Sequence, residues 1–127
     1  MRLFLVRHAE AAPGEPDELR PLTSAGRAVA RTLGERLAAE QPDAVISSPL
    51  LRARETAEHI ARNAGLSPEA DDRLAPGATT DDLKAAVAER GGTVVAVGHQ
   101  PDCSAFVLNL TGRDVDFAPC AVHEVQL

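Results

Sequence analysis

Two arginines and two histidines stand where they can act together on an anion. Arg7 and His8 follow the apolar run Leu3 to Val6, Arg52 lies just beyond Ser47-Ser48-Pro49, and Gly98 and His99 follow the run Thr93 to Val97. Arginine presents paired N–H donors that fit two oxygens of a tetrahedral phosphoryl group at once. Histidine adds something lysine lacks. Its neutral ring nitrogen can attack phosphorus near pH 7, giving a phosphohistidine that water later hydrolyses. The arginines and the second histidine would then stabilise charge on the equatorial oxygens during transfer. That chemistry calls for no metal and no cofactor. Taken singly, each residue has a plainer role: a solvated Arg-His turn, a helix-surface Arg52 pairing with Glu55, a hydrogen-bonded turn His99. Their convergence on one place is the signal.

Convergence depends on the elements that carry these residues. Arg2 to Val6 (RLFLV) has the apolar run of a strand buried on both faces. Ala11 to Arg20, with two prolines, a glycine and three acidic residues, reads as an exposed loop. Thr23 can cap a helix running to about Glu40, with Val29, Leu33 and Leu37 repeating on one face and Pro42 ending it. Ala44 to Ser47 (AVIS) is a second strand. Ser48-Pro49 has the form of a side-chain cap followed by proline at the first helical position. The helix after it would place Ala53, Ala57, Ile60, Ala61 and Ala64 on one face and stop at Gly65. A third helix from near Thr80 would bury Leu83, Ala86 and Val87, helped by Asp81 and Asp82 at its positive end. Gly91-Gly92 breaks it before the strand Thr93 to Val97. Pro101 opens a last helix ending at Thr111-Gly112, with Phe106, Val107 and Leu110 apolar, and Val122 to Leu127 can form a final strand.

Strands alternating with helices indicate an α/β fold: residues 1–127 as one three-layer domain, a largely parallel central sheet flanked by helices, with no large cap insertion. Ligands of such sheets bind outside the carboxyl ends of the strands, which is where Arg7, His8, Arg52 and His99 fall.

Composition narrows the partners. Thirteen Lys and Arg against nineteen Asp and Glu give a net charge of -6, which disfavours nucleic acid and anionic membranes. Three Phe and no Trp or Tyr leave little on which to stack bases. Leu3 to Val6 is far shorter than the roughly 20 residues of a membrane span, and no secretory pattern is legible. Cys103 and Cys120 match no zinc or redox spacing and read as free thiols. A cytoplasmic monomer with no membrane association is the expectation.

The residues also resemble a known family. Leu5-Val6-Arg7-His8-Ala9-Glu10 resembles the RHG or RHA signature of the histidine phosphatase superfamily, also called phosphoglycerate-mutase-like. Arg20-Pro21-Leu22-Thr23-Ser24-Ala25-Gly26 is similar to the RPLTxxG element of its small SixA-type phosphohistidine phosphatases. Ser47 to Ala53 with Thr56-Ala57 resembles the SSPxxRAxxTA stretch, and Val97 to Pro101 the second-histidine motif. The four motifs occur in the family order and span nearly the whole chain. The resemblance implies that His8 is the phosphorylated nucleophile, that Arg7 and Arg52 clamp the phosphate, and that His99 donates to it. It selects Arg52 over the neighbouring Arg54. Arg20 would touch substrate or brace the pocket.

One departure bears on substrate. Larger relatives carry a general acid, either a Glu in an inserted segment or an Asp directly after the second histidine. Here Gln100 follows His99 and Leu74 to Thr80 holds no carboxylate; Glu10, Asp81 and Asp82 remain as candidates, with Glu10 better suited to bracing the His8 loop. An alkoxide leaving group needs a positioned acid, whereas imidazole leaves readily from phosphorus. The expectation is therefore a phosphatase acting on phosphohistidine in a partner protein. Three alternatives stand beside it: a phosphatase of small sugar or nucleotide phosphates, a phosphate-binding module without turnover, and a metal site built from His8, Glu10 and His99. His59 and His123 have no assigned task, the acidic cluster Glu69, Asp71 and Asp72 reads as solvated loop, and Cys103 reads as a small buried helix residue.

Overall fold

A computed structural model describes residues 1–127. Four parallel strands and one antiparallel strand form the sheet: β1 (Arg2–Arg7), β2 (Ala44–Ser47), β3 (Glu69–Ala70), β4 (Thr93–Gly98) and β5 (Val122–Gln126). Their order across the sheet is β3-β2-β4-β1-β5. Between them run α1 (Ser24–Ala38), α2 (Leu51–Asn63), α3 (Thr80–Val87) and α4 (Asp102–Thr111), with single 3-10 turns at Asp17–Leu19 and Asp72–Leu74.

Connection handedness explains the layering. From β1 the chain moves one way across the sheet to β2 and then β3; from β3 it returns through β4 to β5. Right-handed crossovers put the helices of the outward moves on one face and those of the return on the other. Accordingly, α1 and α2 pack together over Phe4, Val6, Val45, Val95 and Val97. The opposite core joins residues of α3 and α4 to Leu3, Leu5, Ile46, Val94 and Ala96. Alternate residues of each central strand thus enter different cores, so the continuous apolar runs are required by burial on both faces. β1 and β4 are neighbours whose following helices lie on opposite faces. The crevice between their carboxyl ends is the topological switch point.

The helices follow their local signals closely. The Thr23 hydroxyl accepts from the Gly26 N–H and starts α1. Its buried face is Gly26, Ala30, Leu33, Gly34 and Leu37, so the expected Val29 instead lies 51% exposed, about 100° around the helix from Ala30. A Cβ at Gly34 would come 2.7 Å from the His59 carbonyl oxygen, so glycine there lets α1 and α2 approach closely. Helix α1 ends at Ala38, short of Pro42, and Gln41 turns the chain with φ 51°. At α3, Thr79 and Asp82 exchange reciprocal side-chain caps, and Leu83, Ala86 and Val87 are buried. Gly112 closes α4 in the left-handed region at φ 77°.

Two local expectations need correction. The Ser48 hydroxyl does not cap α2, which begins at Leu51 with Leu50 at its N-cap. That hydroxyl accepts from the Leu50 N–H in the preceding turn and meets His99 instead. Nor is Glu69 to Asp72 simply a solvated loop. Glu69 and Ala70 pair with Ile46 and Ser47, Asp71 binds Arg73 and Arg90, and Arg90 also binds Glu69. The hydrogen bond from Arg73 and, beyond it, the Arg90 charge hold the Asp71 carboxyl down at about 2. Cys103 and Cys120 are both buried free thiols, pushed up by burial to about 12 and about 11. No helix is long and apolar enough to cross a membrane.

Candidate active site

Strand register assembles the site. Arg7 lies opposite Gly98 in the β1–β4 pair, and Ser47 lies opposite Val97 in the β2–β4 pair. The next residues, His8, His99 and Ser48, therefore leave the sheet side by side. The His8 and His99 rings are tilted at 59° with centroids 5.3 Å apart. Backbone bonds secure the His8 loop from both sides: His8 N–H donates to the Gly98 carbonyl, while Cys120 N–H reaches the carbonyls of Arg7 and His8.

The His8 ring has a defined tautomer. Its Nδ1 lies 2.7 Å from the Ala9 carbonyl oxygen, which can only accept, so Nδ1 carries the proton. In the neutral ring Nε2 then keeps a free lone pair. Burial is the main force lowering the His8 pKa, with the charges of Arg52, Arg7 and Arg20 adding to it and the Ala9 bond opposing. His99 is buried and pushed down to about 4, first by burial, then by His8 and Arg52. Both rings are thus neutral at pH 7 before any anion arrives. His99 Nε2 is 2.7 Å from the Ser48 hydroxyl, which orients the ring.

The arginines are held differently. Arg7 Nη1 donates to the Phe117 carbonyl at 3.0 Å, while its buried Nε has no partner. A buried donor without an acceptor is costly, by roughly 1–3 kcal/mol, and an anion in the crevice would remove that cost. Arg52, on the first turn of α2, is buried and donates from Nη1 and Nη2 to the carbonyl and carboxylate of Asp17. Arg20 reaches the same Asp17 carboxylate and the Ala12 carbonyl. Arg54 is exposed on α2 and lies apart, in a groove with Ser47 and Glu58.

Packing around the site explains several motif residues. Thr56, fully buried, accepts from the Ala9 N–H and donates to the Arg52 carbonyl, tying the His8 loop to the Arg52 turn through one hydroxyl. A Cβ at Gly26 would lie 2.3 Å from the Glu10 carbonyl oxygen, so only glycine lets α1 start against this loop. Glu10 accepts from the Thr23 hydroxyl and braces the loop as expected. Its carboxylate is engaged there, and no group of three metal-ligating side chains gathers in the chain.

All five residues singled out in the sequence, Arg7, His8, Arg20, Arg52 and His99, therefore gather at the β1–β4 crevice. Three contributors were not anticipated. Asp17 sits in a loop whose composition signals only exposure. Thr56 lies within a quoted motif but carried no assigned role. The Phe117 carbonyl contributes through the backbone, which residue type does not reveal. His123, left without a task, packs on the Phe117 ring with centroids 4.6 Å apart.

Comparison with known proteins agrees with this architecture. Residues 3–76 match the family model of the histidine phosphatase superfamily (branch 1). An uncharacterized protein of Picosynechococcus is 37% identical over 136 aligned positions, covering 96% of this chain and 82% of the relative. The solved protein histidine phosphatase SixA complexed with tungstate superposes with a TM-score of 0.88 at 29% identity, over 100% of this chain and 88% of that one. The putative phosphohistidine phosphatase SixA from Agrobacterium tumefaciens gives 0.75 at 32% identity, over 89% and 78%. With the fold, the motif order and these likenesses in agreement, the chain belongs to the histidine phosphatase superfamily, and within it is of the SixA type.

Proposed function

We infer that this protein is a metal-independent phosphatase that removes the phosphoryl group from phosphohistidine on a partner protein, through a phospho-His8 intermediate. One observation carries the reading: the Ala9 carbonyl holds the His8 proton on Nδ1, leaving Nε2 as the nucleophile in a crevice walled by Arg7, Arg52 and His99. In the first step the Nε2 lone pair bonds to phosphorus as the P–N bond to the substrate imidazole breaks. The departing ring takes up a proton from solvent. Water then attacks phospho-His8, releasing inorganic phosphate and restoring neutral His8. Arg7, through its unpartnered Nε, and Arg52 would stabilise the charge that builds on the equatorial oxygens. The incoming negative charge also raises the His99 pKa, so the ring can donate to a phosphoryl oxygen.

The surrounding carboxylates support this substrate class. Four are engaged as acceptors: Glu10 by Thr23, Asp17 by Arg20 and Arg52, Asp102 by the Gly77 N–H, Asp82 by the Thr79 N–H; Asp81 and Glu18 are exposed to solvent. Neither Glu10 nor Asp82 is free to protonate an alkoxide, whereas an imidazole leaving group has little need of an acid.

The test is phosphate release from a phosphohistidine-bearing carrier protein in excess EDTA, comparing wild type with His8→Ala. Release by the wild type alone is expected. Equal release from both would remove His8 as nucleophile, and release abolished by EDTA would remove metal independence. Turnover of small phosphate esters without any release from the carrier would move the substrate to small molecules. Phosphate binding without turnover of either would leave only a binding module.

A further inference from the structure

Arg52 is already occupied. Nη1 donates to the Asp17 carbonyl at 2.9 Å and Nη2 to the Asp17 carboxylate at 3.2 Å. The other oxygen of that carboxylate receives Arg20 Nη1 at 3.0 Å. One carboxylate thus bridges two of the three cations at this edge, while the Arg7 Nε is left with no acceptor.

The pairing is lopsided in what holds each partner. The Arg52 side chain is 9% exposed and built into α2, whereas the Asp17 side chain is 62% exposed. Asp17 belongs to the Asp17–Leu19 turn, which buries no residue, so little packing opposes its departure. A phosphoryl dianion brings twice the charge of a carboxylate and three oxygens instead of two. It is the stronger ligand for the same guanidinium donors.

We propose that Asp17 is a displaceable internal anion, which holds Arg52 and Arg20 while the phosphoryl site is empty and gives them up to an arriving phosphoryl group. This rests on the reading of the crevice as a phosphoryl site and adds a determinant of what enters it. A buried guanidinium without a counter-charge is unfavourable, so the resting enzyme gains from the Asp17 contact. Every ligand must then outcompete it. Carboxylates and other singly charged anions are held off, and a phosphoryl dianion gains entry. The Arg20 hydrogen bond, then Arg52, keep the Asp17 carboxyl below the usual carboxylate range, so it stays ionised and competes throughout the neutral pH range.

The measurement is the calorimetric Kd of inorganic phosphate at fixed ionic strength for wild type, Asp17→Asn, Asp17→Ala and Glu18→Gln. Glu18 carries the same charge on the same exposed turn and serves as the control for long-range electrostatics. Both Asp17 variants should bind phosphate about threefold to fivefold more tightly, the upper end of the scale on which a partly exposed ion pair resists a competitor. Glu18→Gln should change it less than about twofold, as expected for a screened surface charge. With para-nitrophenyl phosphate as probe, Asp17→Asn should lower KM with kcat little changed. Unchanged or weaker phosphate binding in the Asp17 variants would overturn the proposal and make Asp17 a brace for Arg52. An equal effect of Glu18→Gln would overturn it in favour of general electrostatics. Absence of phosphate binding in every protein, wild type included, would sink the phosphoryl site itself, and the inference with it.

Discussion

Strand β1 has an arginine at each end, and the two are treated in opposite ways. At the amino end, Arg2 donates to Glu124 and Glu40, each at 2.8 Å, and lies over the Phe4 ring. At the carboxyl end, Arg7 has one carbonyl oxygen, a buried orphan Nε, and no carboxylate. Both arginines extend the same apolar strand, so strand chemistry alone does not separate them. Arg2 is half-buried, like Arg7, but its charge is answered within the protein by two carboxylates. Arg7 is partly withdrawn from water and its charge is answered by nothing the chain supplies. A structural arginine closes its own electrostatics, while a binding arginine leaves them open for a ligand. Arg52 is the intermediate case, closed by a carboxylate that only an exposed turn holds in place.

The sharpest way to break this contrast is to remove Arg7. Each charge-assisted hydrogen bond contributes on the order of 1.5–3 kcal/mol, and a guanidinium can make two. Arg7→Ala should therefore lower kcat/KM by roughly 10²–10⁴-fold, with Arg7→Lys recovering little because it lacks the planar fork. Turnover undiminished in Arg7→Ala would end the assignment. Thr56 comes next. Thr56→Val keeps the shape but leaves the buried Ala9 N–H unpaired, which should cost roughly 1–3 kcal/mol in urea unfolding. Thr56→Ser should recover most of that loss. Full stability in Thr56→Val would show that the hydroxyl bridge is dispensable.

A smaller effect is expected from pH. His8 must be neutral to attack, and burial lowers its pKa from the usual 6.5. Activity, corrected for ionisation of the substrate, should therefore persist through pH 6.5 and fall only as the medium becomes more acidic still. An acid limb centred above 6.5 would contradict the buried, neutral ring. The smallest effect belongs to the opposite end of the strand. Arg2→Gln should leave turnover unchanged and shift thermal unfolding only slightly, because exposed ion pairs contribute little. A large loss of activity there would dissolve the distinction between the two ends.

Much of this molecule is legible along the chain because its signals are local. The run TVVAV, the Thr23 and Thr79 regions and the Gly112 stop each encode an element within a few residues, and all appear as strand, caps and terminus. Val29 shows the limit of that kind of inference. Its spacing to Leu33 and Leu37 is helical, yet the buried stripe turns through Ala30 and Gly34, where α2 approaches most closely. Ser48 shows another limit: a hydroxyl suited to capping is taken by a histidine 51 residues away. Edge strand β3 has only two residues, too few to show any period.

By itself, then, the sequence determined the order of the helices and of every strand but the two-residue β3, the residues that leave the strand ends and the class of ligand that two arginines and two histidines suit. These follow from periodicity, capping and side-chain chemistry, each a property of neighbouring residues. Tertiary structure decided the rest: that the Arg7 Nε has no acceptor while Nη1 finds a carbonyl 110 residues away, and that Arg52 is held by Asp17, 35 residues before it. The proton of His8 is placed by a loop whose shape depends on Thr56 and Cys120. Such partnerships are set by how the layers pack, because a hydrogen bond depends on ångström-scale approach of groups that the chain order keeps far apart.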